Sequence, residues 1–266
     1  MATKRSGGST SMSLSGLAAV RPARGSRVAA KRDAERPVML ITAGPTHEPI
    51  DAVRFIGNRS SGKLGAAVAA AAAEAGWRVL LLLGPVKIEP PKHRLIATHR
   101  FMTTADLEKL LGKHQADADA LIMAAAVADF RPGAVAKGGK LRRTAKGLTL
   151  KLEPTPDLLA GCAKARARKH LQQVLVGFAL EKREELEASA KGKLVRKGVD
   201  AVVANELETM EADTIRAKVF IADGSTEAPK GRLSKVEFAH WLVELTEALV
   251  VERALSASPC GCGEAH

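Results

Sequence analysis

Residues 38–65 read VMLITAGPTHEPIDAVRFIGNRSSGKLG, and the fold turns on how they are parsed. Val38 to Ala43 is a short apolar run ended by the turn-forming Gly44-Pro45-Thr46, which reads as a buried strand followed by a loop to Asn58. Lys63 to Ala75 is an alanine-dominated helix stopped by Gly76, a residue suited to a helix C-terminus. Between them Gly57 to Lys63 fits the first seven positions of the phosphate-binding pattern G-x-x-x-x-G-K-[S/T], but the eighth is Leu64. A P-loop needs a hydroxyl there to ligate Mg²⁺, and it follows its strand directly. Here about thirteen residues intervene between the end of the strand at Ala43 and Gly57. What survives is a Ser-Ser-Gly turn into a helix whose first N–H groups can hold an anion.

Working outward, strand and helix alternate. WRVLLLLGP reads as a second buried strand and Arg94 to Thr98 as a third. Thr103 to Asp106 resembles a capping box opening a helix through Leu111. ALIMAAAVADF has no polar alternation, as expected of a strand covered on both faces. Residues 131–147 are rich in Gly and Lys and read as a mobile loop, LTLKL as a short strand, and Pro156 to Lys169 as a helix with Pro near its first turn. VLVGFAL and DAVVANE are strands around a charged helix, Glu181 to Lys197. Ala217 to Ala222 with Asp223-Gly224 suggests a terminal hairpin, and Ser234-x-x-Glu237 caps a last helix to about Leu255. The pattern predicts an α/β fold, a three-layer, Rossmann-like and mostly parallel sheet with helices on both faces and a C-terminal hairpin. Ligands on such sheets bind beyond the carboxyl ends of the strands, which singles out the loops after Gly44, Val127 and Phe178.

Composition narrows the function. The chain has 266 residues and a formal charge of +12, but residues 1–32 carry seven of those cations and no acid, leaving +5 for the rest. That excess suits phosphorylated metabolites as well as nucleic acid. Aromatic residues are 3% and Tyr is absent, so the stacking platforms of single-strand binders are missing, and no nucleic-acid partner is expected. Cys162, Cys260 and Cys262 are too few for a disulfide framework, which points to a reducing, cytoplasmic setting. The longest apolar runs fall well short of a membrane span. Residues 1–36 are expected to form a disordered basic leader or a transit segment, 37–255 the folded domain, and 256–266 a flexible tail. In that tail Cys260, Cys262 and His266 supply three soft-metal ligands, too few for a closed zinc site.

Residues 40–65 with AAAVADFRP (124–132), GGKLRR (138–143), PTPDLL (154–159), VGFALE (176–181) and KLVRKGVDAVVANE (193–206) resemble, in order, the phosphopantothenate-cysteine ligase (phosphopantothenoylcysteine synthetase) family, over roughly residues 38 to 250. In many bacteria that enzyme is the C-terminal half of a fused flavoprotein. The resemblance implies a stand-alone ligase without flavin, with the decarboxylase a separate protein. It implies that 4′-phosphopantothenate attacks the α-phosphate of CTP, with Mg²⁺, to give an acyl-cytidylate from which L-cysteine displaces CMP. It also implies a homodimer with active sites near the subunit interface.

By the same resemblance Asn58 holds the substrate carboxylate and acyl-cytidylate, with Gly44, Arg54, Ser60, Ser61 and Gly62 completing the substrate site. Lys140, the first basic residue of a loop bracketed by Gly138-Gly139, neutralises charge building on the triphosphate. Ala125, Asp129, Pro156, Asp157, Leu158, Leu159, Phe178, Lys193 and Lys197 contact the nucleotide. No side chain is a certain metal ligand: Mg²⁺ would arrive on the triphosphate, with Asp129, at a strand's end, able to meet it. Gly57 and His47 stand where relatives commonly carry Thr and Arg, one additional residue separates Asp129 from the basic loop, and Arg142-Arg143 replaces a Lys pair. The competing expectation is a Rossmann-like nucleotide-dependent oxidoreductase, whose G-x-G-x-x-G is absent after the first strand.

Overall fold

The computed structural model describes residues 35–134, 139–142, 147–207 and 212–257. The expectations for the basic leader, for Gly138 and Arg143, and for Cys260, Cys262 and His266 fall outside these. In chain order the strands are β1 (Val38–Ala43), β2 (His47–Pro49), β3 (Phe55–Gly57), β4 (Arg78–Leu83), β5 (Ile96–Arg100), β6 (Ala120–Met123), β7 (Phe130–Pro132), β8 (Leu152–Pro154), β9 (Val174–Glu181), β10 (Ala201–Glu206), β11 (Thr214–Ile215), β12 (Ala217–Ile221), β13 (Thr226–Glu227) and β14 (Leu233–Ser234). The helices are α1 (Lys63–Glu74), α2 (Thr104–His114), α3 (Leu158–Lys169), α4 (Leu186–Lys197) and α5 (Lys235–Ala257).

Eight strands form one sheet in the order β13-β12-β10-β9-β6-β1-β4-β5. From β10 to β5 every neighbour is parallel, and the two strands at the other edge, β12 and β13, run antiparallel as the expected hairpin. The period-two alternation of strand side chains divides the core. Met39, Ile41 and Ala43 of β1 face the layer holding α1 and α5, together with Leu81, Leu83 and Phe238. Leu40 faces the opposite layer with Leu82, Leu107, Leu121, Leu159 and Val202, under α2, α3 and α4. Both faces of the central strands are therefore covered, which explains their unbroken apolar runs.

Several elements differ from the sequence expectation. The loop after β1 folds into a hairpin, β2 pairing antiparallel with β3. The strand of ALIMAAAVADF ends at Met123: Ala124 still donates to the Thr42 carbonyl of β1 (3.2 Å), but beyond it the pairing survives only as an isolated parallel bridge of Ala126 with Pro45, Ala126 donating to the Gly44 carbonyl (2.9 Å). Asp129 therefore lies six residues beyond that strand, next to β7. Strand β8 is Leu152–Pro154, paired with β7, so LTLKL contributes just its end. Pro156 precedes the N-cap of α3, which is Asp157, and α4 starts at Leu186. Both expected capping boxes form: Thr103 with Asp106, and Ser234 with Glu237. Among the described residues no helix is long and apolar enough to cross a membrane.

Candidate active site

Strand β1 hydrogen-bonds to β4 on one side and β6 on the other, so the chain order reverses between β1 and β6. A crevice opens at the carboxyl ends of strands around such a switch point. Here it is a cleft of about 700 Å³.

One wall is the Gly57–Gly65 stretch. Gly62, the N-cap of α1, has φ 71°, a left-handed conformation that glycine adopts without strain. Gly62 has no side chain with which to cap α1 and the first turn holds no acid, so apart from a long contact from the Lys63 N–H to Ser61 Oγ (3.4 Å) the positive end of the dipole faces the cleft. Helix and sheet approach closely at Gly65, where a Cβ would lie 2.5 Å from the Ala43 Cβ. Asn58 donates from Nδ2 to the Val127 carbonyl at 3.0 Å, which ties this wall to the next.

The floor is segment 123–129, held from below. Thr42 Oγ1 accepts from the Ala125 N–H (3.1 Å) and Thr46 Oγ1 from the Ala128 N–H (2.9 Å). The buried Glu48 carboxylate takes both the Thr104 N–H and hydroxyl at 2.7 Å, fixing the β2 backbone against the start of α2. Thr155 then closes the segment, donating from its N–H to the Asp129 carbonyl (2.9 Å).

The far wall is built by α3, β9 and α4. Asp157 caps α3 through the Ala160 N–H (3.1 Å) and takes Lys197 Nζ at 3.0 Å. Desolvation alone would raise its pKa, but the Ala160 N–H and Lys197 bring it below the usual value. Lys193 donates to the Phe178 carbonyl at 2.6 Å, and desolvation, reinforced by Lys197, lowers its pKa. Neither lysine is the simple solvated charge that composition suggests. Leu159 lies over Gly177 of β9, where a Cβ would come within 2.6 Å of Leu159 Cδ2, so the missing side chain seats the first turn of α3.

The cleft thus collects Asn58, Ser60, Ser61, Gly62, Ala125, Asp129, Pro156, Asp157, Leu158, Leu159, Phe178, Lys193 and Lys197 from the sequence-predicted set. Gly44 lies just behind it: a Cβ built on Gly62 would come 3.5 Å from the Gly44 nitrogen. Arg54 and Lys140 do not line it. Arg54 instead pairs with Asp51 and donates to the Leu141 carbonyl at 2.8 Å. Asp51, whose side chain is fully buried, also accepts from the Leu141 N–H at 3.0 Å, so the β2–β3 hairpin holds the segment that carries the exposed Lys140. Burial would raise the Asp51 pKa, but the Arg54 side chain and the Leu141, Val53 and Arg54 N–H groups outweigh it and hold the carboxyl far below its ordinary range.

Two residues that sequence reasoning left out also line the cleft, Lys63 and the buried Lys235. The departure at Gly57 has a steric reason: His47 stacks on Phe55 with ring centroids 3.6 Å apart, and a Cβ at 57 would lie 2.9 Å from the His47 ring and 2.7 Å from the Thr46 carbonyl. Cys162 is buried and its thiol is pushed up to about 12 by desolvation and then by Asp157, so it packs as an apolar group. Among the described residues no three His, Cys, Asp or Glu side chains gather into a metal cage.

Residues 34–249 match the family described as "DNA/pantothenate metabolism flavoprotein C-terminal domain". The chain is 41% identical over 191 residues to the coenzyme A biosynthesis bifunctional protein CoaBC of Bacillus subtilis, covering 70% of this chain and 45% of that one. It is also 41% identical over 201 residues to CoaBC of Mycobacterium bovis, covering 71% and 47%. The chain therefore spans about half the length of these curated relatives. A crystal structure of the C-terminal domain of CoaBC superposes with a TM-score of 0.67 at 31% identity, covering 81% of this chain and 96% of that one. With the fold, the switch-point cleft and the ordered motifs in agreement, the chain belongs to the DNA/pantothenate metabolism flavoprotein C-terminal domain family, that of the C-terminal domain of CoaBC.

Proposed function

We propose that this protein is a phosphopantothenate-cysteine ligase of coenzyme A biosynthesis, joining 4′-phosphopantothenate to L-cysteine with CTP. The observation that carries the reading is the convergence, in one cleft, of the acid-free α1 N-terminus with Asn58 on one wall and Lys193 with Lys197 on the other. The substrates are a phosphorylated carboxylate and a nucleoside triphosphate, and the lining offers Arg59, Lys63, Lys193, Lys197 and Lys235 against Asp129, Asp157 and Glu181.

A free carboxylate resists attack by an amine because it has no leaving group. In the first step a carboxylate oxygen attacks the α-phosphorus of CTP and pyrophosphate departs. In the second the cysteine nitrogen attacks the acyl carbon, the acyl–oxygen bond to CMP breaks, and the amine loses a proton. Asn58 Nδ2 carries two protons and gives one to Val127, leaving the other for the substrate carboxylate or acyl oxygen. Lys193 and Lys197 steady the nucleotide phosphates, and Pro156–Leu159 with Phe178 enclose the nucleoside. Mg²⁺ would enter on the triphosphate, as suits an ion that keeps most of its waters and few protein ligands, and would supply charge neutralisation there, with Asp129 as the nearby carboxylate. Lys140 acts on the triphosphate when its loop closes. A homodimer is part of the same reading, supported by apolar side chains left exposed on the two small hairpins, Val53, Phe55, Phe130 and Leu152.

The test is pyrophosphate release from the purified protein with 4′-phosphopantothenate, Mg²⁺ and CTP or ATP, with and without cysteine. Phosphopantothenate-dependent release with cysteine-dependent CMP formation is expected, and no release from folded protein with either nucleotide would refute the reading. Asn58→Asp, which sets a negative charge beside an anionic substrate, should lower turnover by at least about 100-fold, roughly the effect of deleting one transition-state donor. Unchanged turnover removes Asn58 from the mechanism.

A further inference from the structure

The cleft holds a second pair of cations to which the reaction outlined above gives no individual role. Lys63 is the first residue of α1 and Lys235 the first of α5, and both line the cleft. Lys235 is 8% exposed, a rare burial for an ammonium group. Asp213 joins the two: it accepts Lys63 Nζ at 2.7 Å through its carboxylate, and its carbonyl takes the Lys235 N–H at 3.0 Å. The Asp213 side chain is itself 85% exposed, so this carboxylate sits in water and is readily displaced.

We propose that, within this cleft, Lys63 and Lys235 extend the N-terminus of α1 into a phosphoryl-binding subsite, and that Asp213 is a stand-in anion which gives up Lys63 when a phosphoryl group arrives. The site rests on the ligase reading for the source of that group: the tail of the triphosphate or the phosphate monoester of the acyl substrate.

Three features favour a phosphoryl group. Two lysines and a row of helix N–H donors suit a multiply charged, multi-oxygen anion better than a single carboxylate. Desolvation and then the charge of Lys63 lower the Lys235 pKa, with Asp213 opposing them, so an arriving anion would favour the charged form of both lysines. Lys193 and Lys197 are already engaged, by the Phe178 carbonyl and by Asp157, which leaves Lys63 and its exposed partner as the more easily released contact.

The full-length protein, its Lys63→Ala, Lys235→Met and Asp213→Asn variants would be compared by calorimetry at fixed salt. Each is titrated with CTP and CMP, with 4′-phosphopantothenate and pantothenate, and with inorganic pyrophosphate. Loss of one charge-assisted contact should shrink either the CTP-over-CMP or the phosphopantothenate-over-pantothenate preference about tenfold in Lys63→Ala. The preference that shrinks names the source. Asp213→Asn should enlarge the same preference about two- to fivefold, a gain that general damage to the cleft does not produce. Preferences that stay within twofold of wild type in Lys63→Ala and Asp213→Asn overturn the proposal. These two variants change exposed side chains and so keep the test alive should Lys235→Met misfold. Wild-type protein that binds neither CTP nor phosphopantothenate sinks the ligase reading instead. The subsite is then judged by pyrophosphate alone: binding that weakens tenfold in Lys63→Ala supports it, and any other result rejects it.

Discussion

Gly65→Ala adds one methyl group at the contact between α1 and β1, and its effect is calculable. The new Cβ would lie 2.5 Å from the Ala43 Cβ and 3.1 Å from its Cα. Carbon atoms rest about 3.5–4.0 Å apart, so α1 must retreat by about 1 Å. Overpacking of this size costs about 1–3 kcal/mol, and the higher helix propensity of Ala returns about 1 kcal/mol. The net loss is about 0–2 kcal/mol, a fall in Tm of no more than about 8 °C for a domain of this length. Function should suffer more than stability, because the Ser60-Ser61-Gly62 turn and Asn58 ride on the same helix start. A misplacement of about 1 Å in a positioning group costs about 100-fold in rate. Thermal melts and kcat/KM for phosphopantothenate should therefore separate, with a small shift in the first and a fall of about 100-fold in the second. Wild-type kcat/KM in a variant melting within a degree or two of wild type would refute the argument that this contact sets the geometry of the wall.

Lys193→Met should raise the KM for CTP at least about tenfold by removing a charged hydrogen-bond donor. Because the folded pKa of Lys193 lies below its unfolded value, the unfolded chain binds more protons between the folded value and about pH 10.5, so this amine's contribution to stability rises with pH across that window; the variant should lack that component, and an identical profile argues against the burial of this amine. Asp51→Asn should free the Gly139–Arg142 segment and speed tryptic cleavage after Lys140 or Arg142 several-fold. The folded pKa of Asp51 is depressed, so its contribution is complete above about pH 4 and disappears as pH falls through the folded value; unchanged cleavage and an unchanged acid transition would dismiss the latch. At the opposite end of the sheet Asp200 accepts from Arg166, Arg253 and the Leu175 N–H (2.7 Å). Asp200→Ala, by breaking a buried ionic network, should cost about 3 kcal/mol in denaturant melts while the KM values hold, and a loss under about 1 kcal/mol would contradict the network's role.

The sheet was legible because its strands are continuous apolar runs, and the ends of α2 and α5 because Thr103 with Asp106 and Ser234 with Glu237 are local signals. The β2–β3 hairpin was not, since His47 to Gly57 lacks clean alternation and is held by contacts from afar: Thr104 on Glu48, and Leu141 on Asp51. Asp129 was misplaced because the run is apolar as far as Ala128, while the path after Met123 follows hydrogen bonds to Thr42, Gly44 and Thr46 that the local sequence does not announce. Of the site residues that the resemblance named, thirteen line one cleft, from five separate segments, while Gly44, Arg54 and Lys140 do not. The resemblance gave no hint of Lys63 with Asp213 and Lys235, which depends on a contact spanning 150 positions in the chain. Nor does local sequence reveal that Arg54 turns towards Asp51 and Leu141, away from the cleft.

The gap at Gly177 sets a rule for anyone redesigning this protein. In the middle of a parallel strand a glycine looks like an easy target, since Val or Ile there would raise strand propensity and fill the sheet. Leu159 already occupies that space, and through it the sheet holds the start of α3, where Asp157 meets Lys197. A recoded strand would thus gain rigidity by lifting the wall that faces the ligand. Libraries aimed at a more heat-resistant variant should leave 177 and 159 fixed together, or vary them as a pair so that volume lost at one is restored at the other.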